Sequence, residues 1–208
     1  MKKNLSRWLV SLTACLLVIG CSDNSTPQEG EQYTTLPVNL ASYRIAPVAE
    51  VFSLTCSHCR KMETVLPNIE KALNQEIGKV HVTFNQGAKT AAMIYYSAVM
   101  QLGQKPDDTF MESLFSAIQE TQSLTPSEQQ SAIEKVFHDN NLTSPYALDQ
   151  QQKQELVRRL DIAEAITKQG KIQAVPTFIV AGRYQVLTAG HDDVEELANT
   201  INYLLHKQ

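Results

Sequence analysis

Apolar residues in the first half of the chain recur with two different periods. Residues 48–52 are apolar except for Glu50, which predicts a central strand that is buried on both faces. Next comes a set spaced by three and four residues, which predicts one face of a helix, and Pro67 within it predicts a kink or a restart. The members of this set are Cys59, Met62, Leu66, Ile69 and Leu73. Apolar residues then alternate over 80–84, which predicts a second strand.

Only helical periodicity is present over residues 87–162. One helix is predicted to end at Gly103, a residue type that is common just after the last helical turn. Thr125 begins a capping-box sequence followed by proline, which predicts the start of another helix. Ser144 is predicted to start a further helix that runs, with breaks, to the residue before Gly170. We interpret this block as an all-helical insertion.

The mixed pattern resumes after the helical block. Residues 176–180 and 184–187 flank a short turn and predict a β-hairpin, and His191-Asp192 can cap a last helix. The fold class is therefore α/β, with two halves that flank an inserted all-helical domain. The predicted boundaries are 33–86 for the first half, 87–162 for the insertion and 163–208 for the second half.

The N-terminus predicts export. Residues 1–20 have a basic start and a short apolar stretch, which is typical of a signal peptide. The residues that follow, 18–21, resemble the bacterial lipobox, so the signal is predicted to be cut before Cys21 and that cysteine to carry lipid, including palmitate. The alternative is an ordinary signal peptide with an incidental Cys21. Residues 21–32 have a turn-rich, polar sequence and are predicted to be a flexible tether, too short for a dimerisation domain, which favours a monomer.

Charge excludes one class of partner. Removal of residues 1–20 takes three basic residues from the chain's 18 and none of its 22 acidic residues. The mature chain therefore has 15 basic and 22 acidic residues and a net charge of −7. Such an acidic balance does not favour nucleic acid binding.

The segment Cys56-Ser57-His58-Cys59 carries the candidate chemistry. Two cysteines at this spacing, directly after a strand and at the start of a helix, are typical of a thioredoxin-like redox centre. Cys56 is predicted at the helix N-terminus, where free N–H groups and the helix dipole favour a thiolate, and His58 is predicted to reach the same sulfur. Cys59 lies on the apolar face and is predicted to be buried. We therefore expect Cys56 to react and Cys59 to resolve the mixed disulfide.

Half of a zinc site is the alternative interpretation of this segment. Such a site would need two further ligands with a paired spacing. The remaining histidines show no such spacing, and Cys21 is assigned to lipid. We expect no metal and no cofactor other than the redox-active disulfide Cys56–Cys59.

The chain also resembles the DsbA family of bacterial thiol:disulfide oxidoreductases. The resemblance rests on the Cys-x-His-Cys centre, on Glu50 six residues before Cys56, and on three further segments. These segments are residues 32–36, residues 79–84 and residues 175–185. The resemblance implies a thioredoxin-like fold with an inserted helical domain, from about residue 32 to the end.

The resemblance implies roles for four residues around the thiols. Val175-Pro176 should be a cis-proline loop beside Cys56, with the Val175 backbone open to a substrate peptide. Glu50 and Lys79 should form a buried pair that takes or relays the proton of Cys59. The alternatives are a trans proline at a strand edge, a merely structural Glu50 and an exposed Lys79.

Ser57 and residues 54–55 depart from the family pattern, which has proline and aromatic residues there. The expected function is that of a periplasmic oxidase, lipid-anchored at the inner membrane or, as Ser22 permits, the outer one. It would introduce disulfides into unfolded exported proteins and be reoxidised by a DsbB-like membrane quinone reductase. A reductase or isomerase and a noncatalytic peptide-binding lipoprotein are the alternatives.

Overall fold

The computed structural model describes residues 26–207, and within this range the chain forms a five-stranded sheet and seven α-helices. The strands are β1 Tyr33–Thr35, β2 Val48–Phe52, β3 Gly78–His81, β4 Thr177–Val180 and β5 Tyr184–Val186. The helices are α1 Ser57–Glu63, α2 Leu66–Leu73, α3 Gln86–Leu102, α4 Asp108–Gln119, α5 Pro126–Asp139, α6 Gln150–Gln169 and α7 Val194–His206. The strand order is β1-β5-β4-β2-β3, with β2 and β3 parallel and the other pairs antiparallel.

The sheet is covered on both faces, which explains the apolar run of β2. All five residues of β2 are buried. One sheet face packs against α2 and α7, through residues such as Ile69 and Ile201. The other face packs against the C-terminal part of α6, through Ile166. Phe52, at the end of β2, joins the separate core of α3, α4 and α5.

Local sequence signals set several helix and turn boundaries as predicted. Helix α1 ends before Pro67, which lies in the first turn of α2, where its missing N–H is not needed. Gly103 adopts the left-handed conformation that ends α3. Thr125 and its capping box begin α5. In the predicted hairpin, Gly182 has φ +64, and a Cβ there would lie 2.7 Å from the backbone nitrogen of Ala41.

Other boundaries differ from the predictions. Strand β3 ends at His81 because its partner β2 ends at Phe52, and Phe84 is exposed. Helix α6 is unbroken and begins after Asp149, which caps it, so Ser144 only starts a turn. Helix α7 is capped by Asp193 and not by the two residues before it. The boundary predicted between residues 162 and 163 therefore falls inside α6, which serves both domains.

The predicted tether is partly ordered, and β1 was not predicted. Gln32 donates from its side chain to Glu196, and Glu29 accepts from Thr35, so residues 28–32 are held against the fold. The predicted signal peptide at 1–20 and the predicted lipidation of Cys21 lie outside the described residues. Among residues 26–207, the helices lack the length and apolarity needed to cross a membrane.

Candidate active site

Cys56 is the residue that begins helix α1. Its backbone is extended, and its Sγ accepts a hydrogen bond from the backbone N–H of Cys59 at 3.3 Å. Its thiol also donates to the carbonyl oxygen of Val175 at 3.6 Å. The Cys56 residue is half-buried, so it is partly open to solvent. A thiolate at this position would strengthen the bond from the helix N-terminus, because a charged acceptor makes a stronger hydrogen bond.

Cys59 lies one turn further along α1 and is fully buried, as the apolar pattern predicts. Burial raises the pKa of the Cys59 thiol, and the neighbouring Cys56 thiol adds to that increase. Cys59 is therefore held as a neutral thiol. Within the described residues, Cys56 and Cys59 are both free thiols.

The position of His58 differs from the prediction. His58 is exposed, and no hydrogen bond joins its ring to Cys56 Sγ within the part of the chain that the structure describes. The contacts of the sulfur come from the backbone of Cys59 and of Val175 instead. The neighbouring Ser57 is exposed as well.

The Val175–Pro176 peptide bond is cis, as the family resemblance implies. The loop precedes β4 and lies beside Cys56 although the two are 119 residues apart in the sequence. Thr188 holds the loop in place by donating to the Pro176 carbonyl oxygen at 2.8 Å. The Cys56 thiol and the proline loop therefore lie side by side.

Glu50 and Lys79 form a buried ion pair under the active-site helix. The Lys79 Nζ lies 2.6 Å from a carboxylate oxygen of Glu50, and the two residues are register partners on β2 and β3. The Lys79 side chain is only 3% exposed, so the alternative of an exposed strand lysine is wrong. The same Nζ lies 2.7 Å from Glu63 at the end of α1. One cation is therefore shared by two carboxyl groups.

The sequence prediction missed Glu63. It lies four residues after Cys59, so both project from the same face of α1 toward the sheet. An acid in line with that apolar face was the available signal. Its contact with Lys79 gives the cluster a net charge of −1 when all three groups are ionised.

The surroundings of Glu50 and Glu63 favour the protonated form of their carboxyl groups. Burial raises the pKa of Glu50 to about 7, with Lys79 opposing the shift and Glu63 increasing it. Burial raises the pKa of Glu63 as well. Burial works against the charge of Lys79, but the two carboxylates outweigh it and raise the pKa of the lysine. The second oxygen of Glu50, Oε1, has no hydrogen-bond partner among the described residues, which adds to the preference for the protonated form.

Two further side chains, also missed in the sequence, fix the loop before Cys56. The Gln119 amide at the end of α4 donates to the carbonyl oxygens of Leu54 at 2.9 Å and Cys56 at 3.1 Å. The His81 Nε2 accepts from the Leu54 N–H at 2.9 Å, and its Nδ1 donates to the Val82 carbonyl oxygen at 2.7 Å. Burial lowers the pKa of His81 to about 4, so the ring is neutral and keeps this tautomer.

Metal binding gains no support from the geometry of the described residues. Within 26–207, no three His, Cys, Asp or Glu side chains are grouped so that they could hold an ion. The two thiols instead face a peptide loop and a buried acid. This arrangement can exchange a disulfide and manage the proton that accompanies the exchange.

Comparison with known proteins agrees with this geometry. A sequence model of the thioredoxin family matches residues 45–202. The oxidoreductase NmDsbA1 from N. meningitidis is similar in structure, with 25% identity, a TM-score of 0.62, and coverage of 86% of this chain and 92% of that one. DsbA from Proteus mirabilis, in complex with the non-covalently bound peptide PWATCDS, has 24% identity, a TM-score of 0.65, and coverage of 88% and 100%.

DsbL from Salmonella enterica serovar Typhimurium is also similar, with 16% identity, a TM-score of 0.63, and coverage of 88% of this chain and 100% of that one. No curated protein matches the chain in sequence. The predicted resemblance to DsbA is confirmed in the fold. The chain belongs to the thioredoxin family and has the fold of the DsbA proteins, a thioredoxin domain with an inserted helical domain.

Proposed function

We propose that the chain is a thiol:disulfide oxidoreductase that introduces disulfides into exported proteins through Cys56 and Cys59. One observation carries the proposal. The half-buried Cys56 sulfur, at a helix N-terminus, lies against the Val175 carbonyl oxygen, while Cys59 is fully buried one turn away. An attackable sulfur paired with a protected one is what directed exchange requires.

The exchange proceeds in two steps from the oxidised enzyme. A substrate thiolate attacks Cys56 Sγ, the Cys56–Cys59 bond breaks, and its electron pair goes to the Cys59 sulfur. A second substrate thiolate then attacks the substrate sulfur of the mixed disulfide, and Cys56 leaves as a thiolate. The substrate gains a disulfide, and the enzyme gains two electrons as a dithiol.

Glu50 is the proton donor and acceptor for Cys59 in this scheme. The thiolate that forms on Cys59 is buried and therefore takes up a proton at once, because burial raises the pKa of that thiol. The Glu50 carboxyl has a pKa of about 7, which lets it give up a proton in this step and regain one afterwards. Burial is the main cause of that raised pKa; Glu63 adds to it and Lys79 opposes it through their charges.

Substrate binding is proposed at the Val175–Pro176 loop. The DsbA from Proteus mirabilis has a non-covalently bound peptide, and the Val175 carbonyl oxygen of this chain lies beside Cys56 Sγ. An extended substrate segment can hydrogen-bond to backbone groups of such a loop. Pairing through the backbone accepts many sequences, which suits an enzyme for unfolded proteins.

The proposal also includes the cellular location of the protein and the reoxidation of its two cysteines. The signal sequence and lipobox support a periplasmic protein held to a membrane by lipid on Cys21. A DsbB-like membrane quinone reductase would take the two electrons from Cys56 and Cys59, which favours the inner membrane. Mass spectrometry of the mature N-terminus tests the anchor, and an unmodified Cys21 would contradict it.

A redox titration of the mature protein against glutathione tests the direction of exchange. An oxidase should have a reduction potential less negative than about −200 mV, because its disulfide must accept electrons from the thiols of its substrates. A potential within the cytosolic glutathione range of about −220 to −260 mV would favour the reductase or isomerase. Cys56→Ser should abolish exchange, and Cys59→Ser should accumulate mixed disulfides. Disulfide formation by the Cys56→Ser variant would contradict catalysis at this site.

A further inference from the structure

A cavity of about 330 Å³ opens beside the reactive loop, on the side of the helical domain. Its walls come from the N-terminal half of α3, the end of α4 and the start of α5. Ile94, Ile118 and Ile133 are its large apolar lining residues, and the other lining residues are threonine, alanine, glycine and glutamine. No charged side chain lines it among the residues that the structure describes. The chemistry of the walls therefore selects a neutral, apolar occupant.

The cavity is fixed in position relative to Cys56. Thr55 lines it and directly precedes the reactive cysteine. Gln119, in the same helix as Ile118, donates to the carbonyl oxygens on both sides of Thr55, those of Leu54 and Cys56. These two hydrogen bonds join the end of α4 to the reactive loop. The cavity therefore lies directly beside the segment that carries Cys56.

The volume of the cavity and its position relative to Cys56 indicate which group it binds. The volume is at the small end of the range of about 300–1,000 Å³ that ligand pockets span, and suits one or two large side chains. Successive Cα atoms are about 3.8 Å apart, and an extended peptide advances about 3.3 Å per residue. A residue two or three positions from a cysteine bonded to Cys56 can therefore reach a cavity that begins at Thr55.

We propose that this cavity binds an aliphatic side chain of the substrate polypeptide, two or three residues from the cysteine that reacts with Cys56. The inference rests on the proposed exchange reaction and adds a specificity site to it. Unfolded exported proteins expose such side chains, whereas folded proteins bury them. The cavity would thus direct exchange to cysteines that are still unfolded and flanked by apolar residues.

Single-cysteine peptides test this inference. In a Gly/Ser background, one Leu is placed in turn at each of the three positions on either side of the cysteine. Mixed-disulfide formation with the oxidised mature protein is followed by acid quench and mass spectrometry. At one or two positions, Leu should speed the reaction at least about tenfold over the peptide without Leu, from burial of its side chain. Equal rates at all positions would overturn the inference.

Variants locate the effect in the cavity. Thr90 is an exposed wall residue on α3, and Thr90→Trp should fill the cavity and reduce the Leu effect to below about twofold. Ser131→Trp is the matched control, because Ser131 is exposed on α5 and does not line the cavity; the Leu effect should remain. Ile118→Ala should enlarge the cavity and shift the preference from Leu toward Phe, which a misfolded variant would not do. A Leu effect that survives Thr90→Trp undiminished would overturn the inference.

Exchange with glutathione separates this inference from the proposed function. Glutathione is too small to reach both Cys56 and the cavity, so its rate reports only the reactive thiols. If the wild-type protein exchanges with glutathione but shows no Leu effect, the cavity inference fails alone. If it exchanges with neither, the proposed function fails.

Discussion

Replacement of Glu50 by Gln should make the reduced protein more stable at neutral and alkaline pH. Glu50 is fully buried and shares the single cation Lys79 with Glu63. The substitution keeps the size of the side chain and an oxygen that can accept from Lys79. It also leaves a neutral pair of Lys79 and Glu63 in place of a cluster with a net negative charge.

The magnitude follows from the pKa of Glu50. Burial raises it from an ordinary value of 4.5 to about 7. The folded state therefore binds this proton more tightly than the unfolded state, so the contribution of Glu50 to stability is greatest below pH 4.5 and is lost as the pH rises through 7. One pKa unit corresponds to about 1.4 kcal/mol, so the ionised carboxylate costs at most about 3 kcal/mol above pH 7.

Urea unfolding between pH 4 and pH 8.5 measures this difference. The wild-type curve alone is not sufficient, because His81 also titrates. Burial lowers the pKa of His81 to about 4, so its contribution to stability changes with pH in the opposite direction to that of Glu50. The contributions of the two groups to the pH dependence of stability nearly cancel between pH 4.5 and 6.5 in the wild type. The difference between Glu50→Gln and the wild type isolates Glu50, since His81 is present in both proteins. Glu76→Gln, at an exposed carboxyl in the loop before β3, is the control.

The expected difference is close to zero at pH 4 and grows to as much as about 3 kcal/mol in favour of Glu50→Gln at pH 8. The control variant should follow the wild type throughout. A constant difference across the range would show that Glu50 does not titrate between the two pH limits. A less stable Glu50→Gln at pH 8 would refute the claim that the buried carboxylate is destabilising.

Three further predictions concern His81, Gln119 and Gly182. His81 has a folded pKa of about 4, below the unfolded value of 6.5, so its contribution to stability is lost as the pH drops from 6.5 to 4. In urea unfolding, His81→Gln should therefore reduce the loss of stability at acid pH by up to about 3 kcal/mol. Gln119→Ala should destabilise the protein by about 1–3 kcal/mol, because two carbonyl oxygens of the reactive loop lose their donor, and an unchanged urea midpoint would contradict this. Gly182→Ala should lower the melting temperature more than Gly103→Ala, because both have positive φ but only Gly182 is crowded by backbone; equal losses would show that the crowding is relieved.

Elements whose signals are local could be predicted from the sequence. The apolar run of β2, the proline that begins α2 and the capping box of α5 each act within a few residues. The position of Cys56 at a helix N-terminus and the burial of Cys59 are local in the same sense. Such features depend on hydrogen bonds and side-chain periodicity inside one segment. Both can be recognised from the order of residues in that segment.

Features that depend on distant pairing could not be predicted. Strand β1 has three residues and exists because β5 pairs with it from the far end of the chain. Gln119 reaches the loop before Cys56 across more than sixty residues, and nothing in the sequence of α4 marks it. His58 was predicted to contact Cys56 from its proximity in sequence alone. His58 is exposed to solvent, because residues two positions apart on a helix do not face each other.

Lys79 shows how one long-range feature decides a chemical question. From the sequence, Lys79 could be either an exposed lysine or part of a buried ion pair, because the sequence does not show which residues of β2 and β3 lie side by side. The parallel register places Lys79 beside Glu50, and the return of α1 over the same strands brings in Glu63. Two acids then share one cation in a buried site. Burial, with a smaller contribution from the charge of Glu63, raises the pKa of Glu50 to about 7, so a proton is available there near neutral pH for the exchange proposed at Cys59.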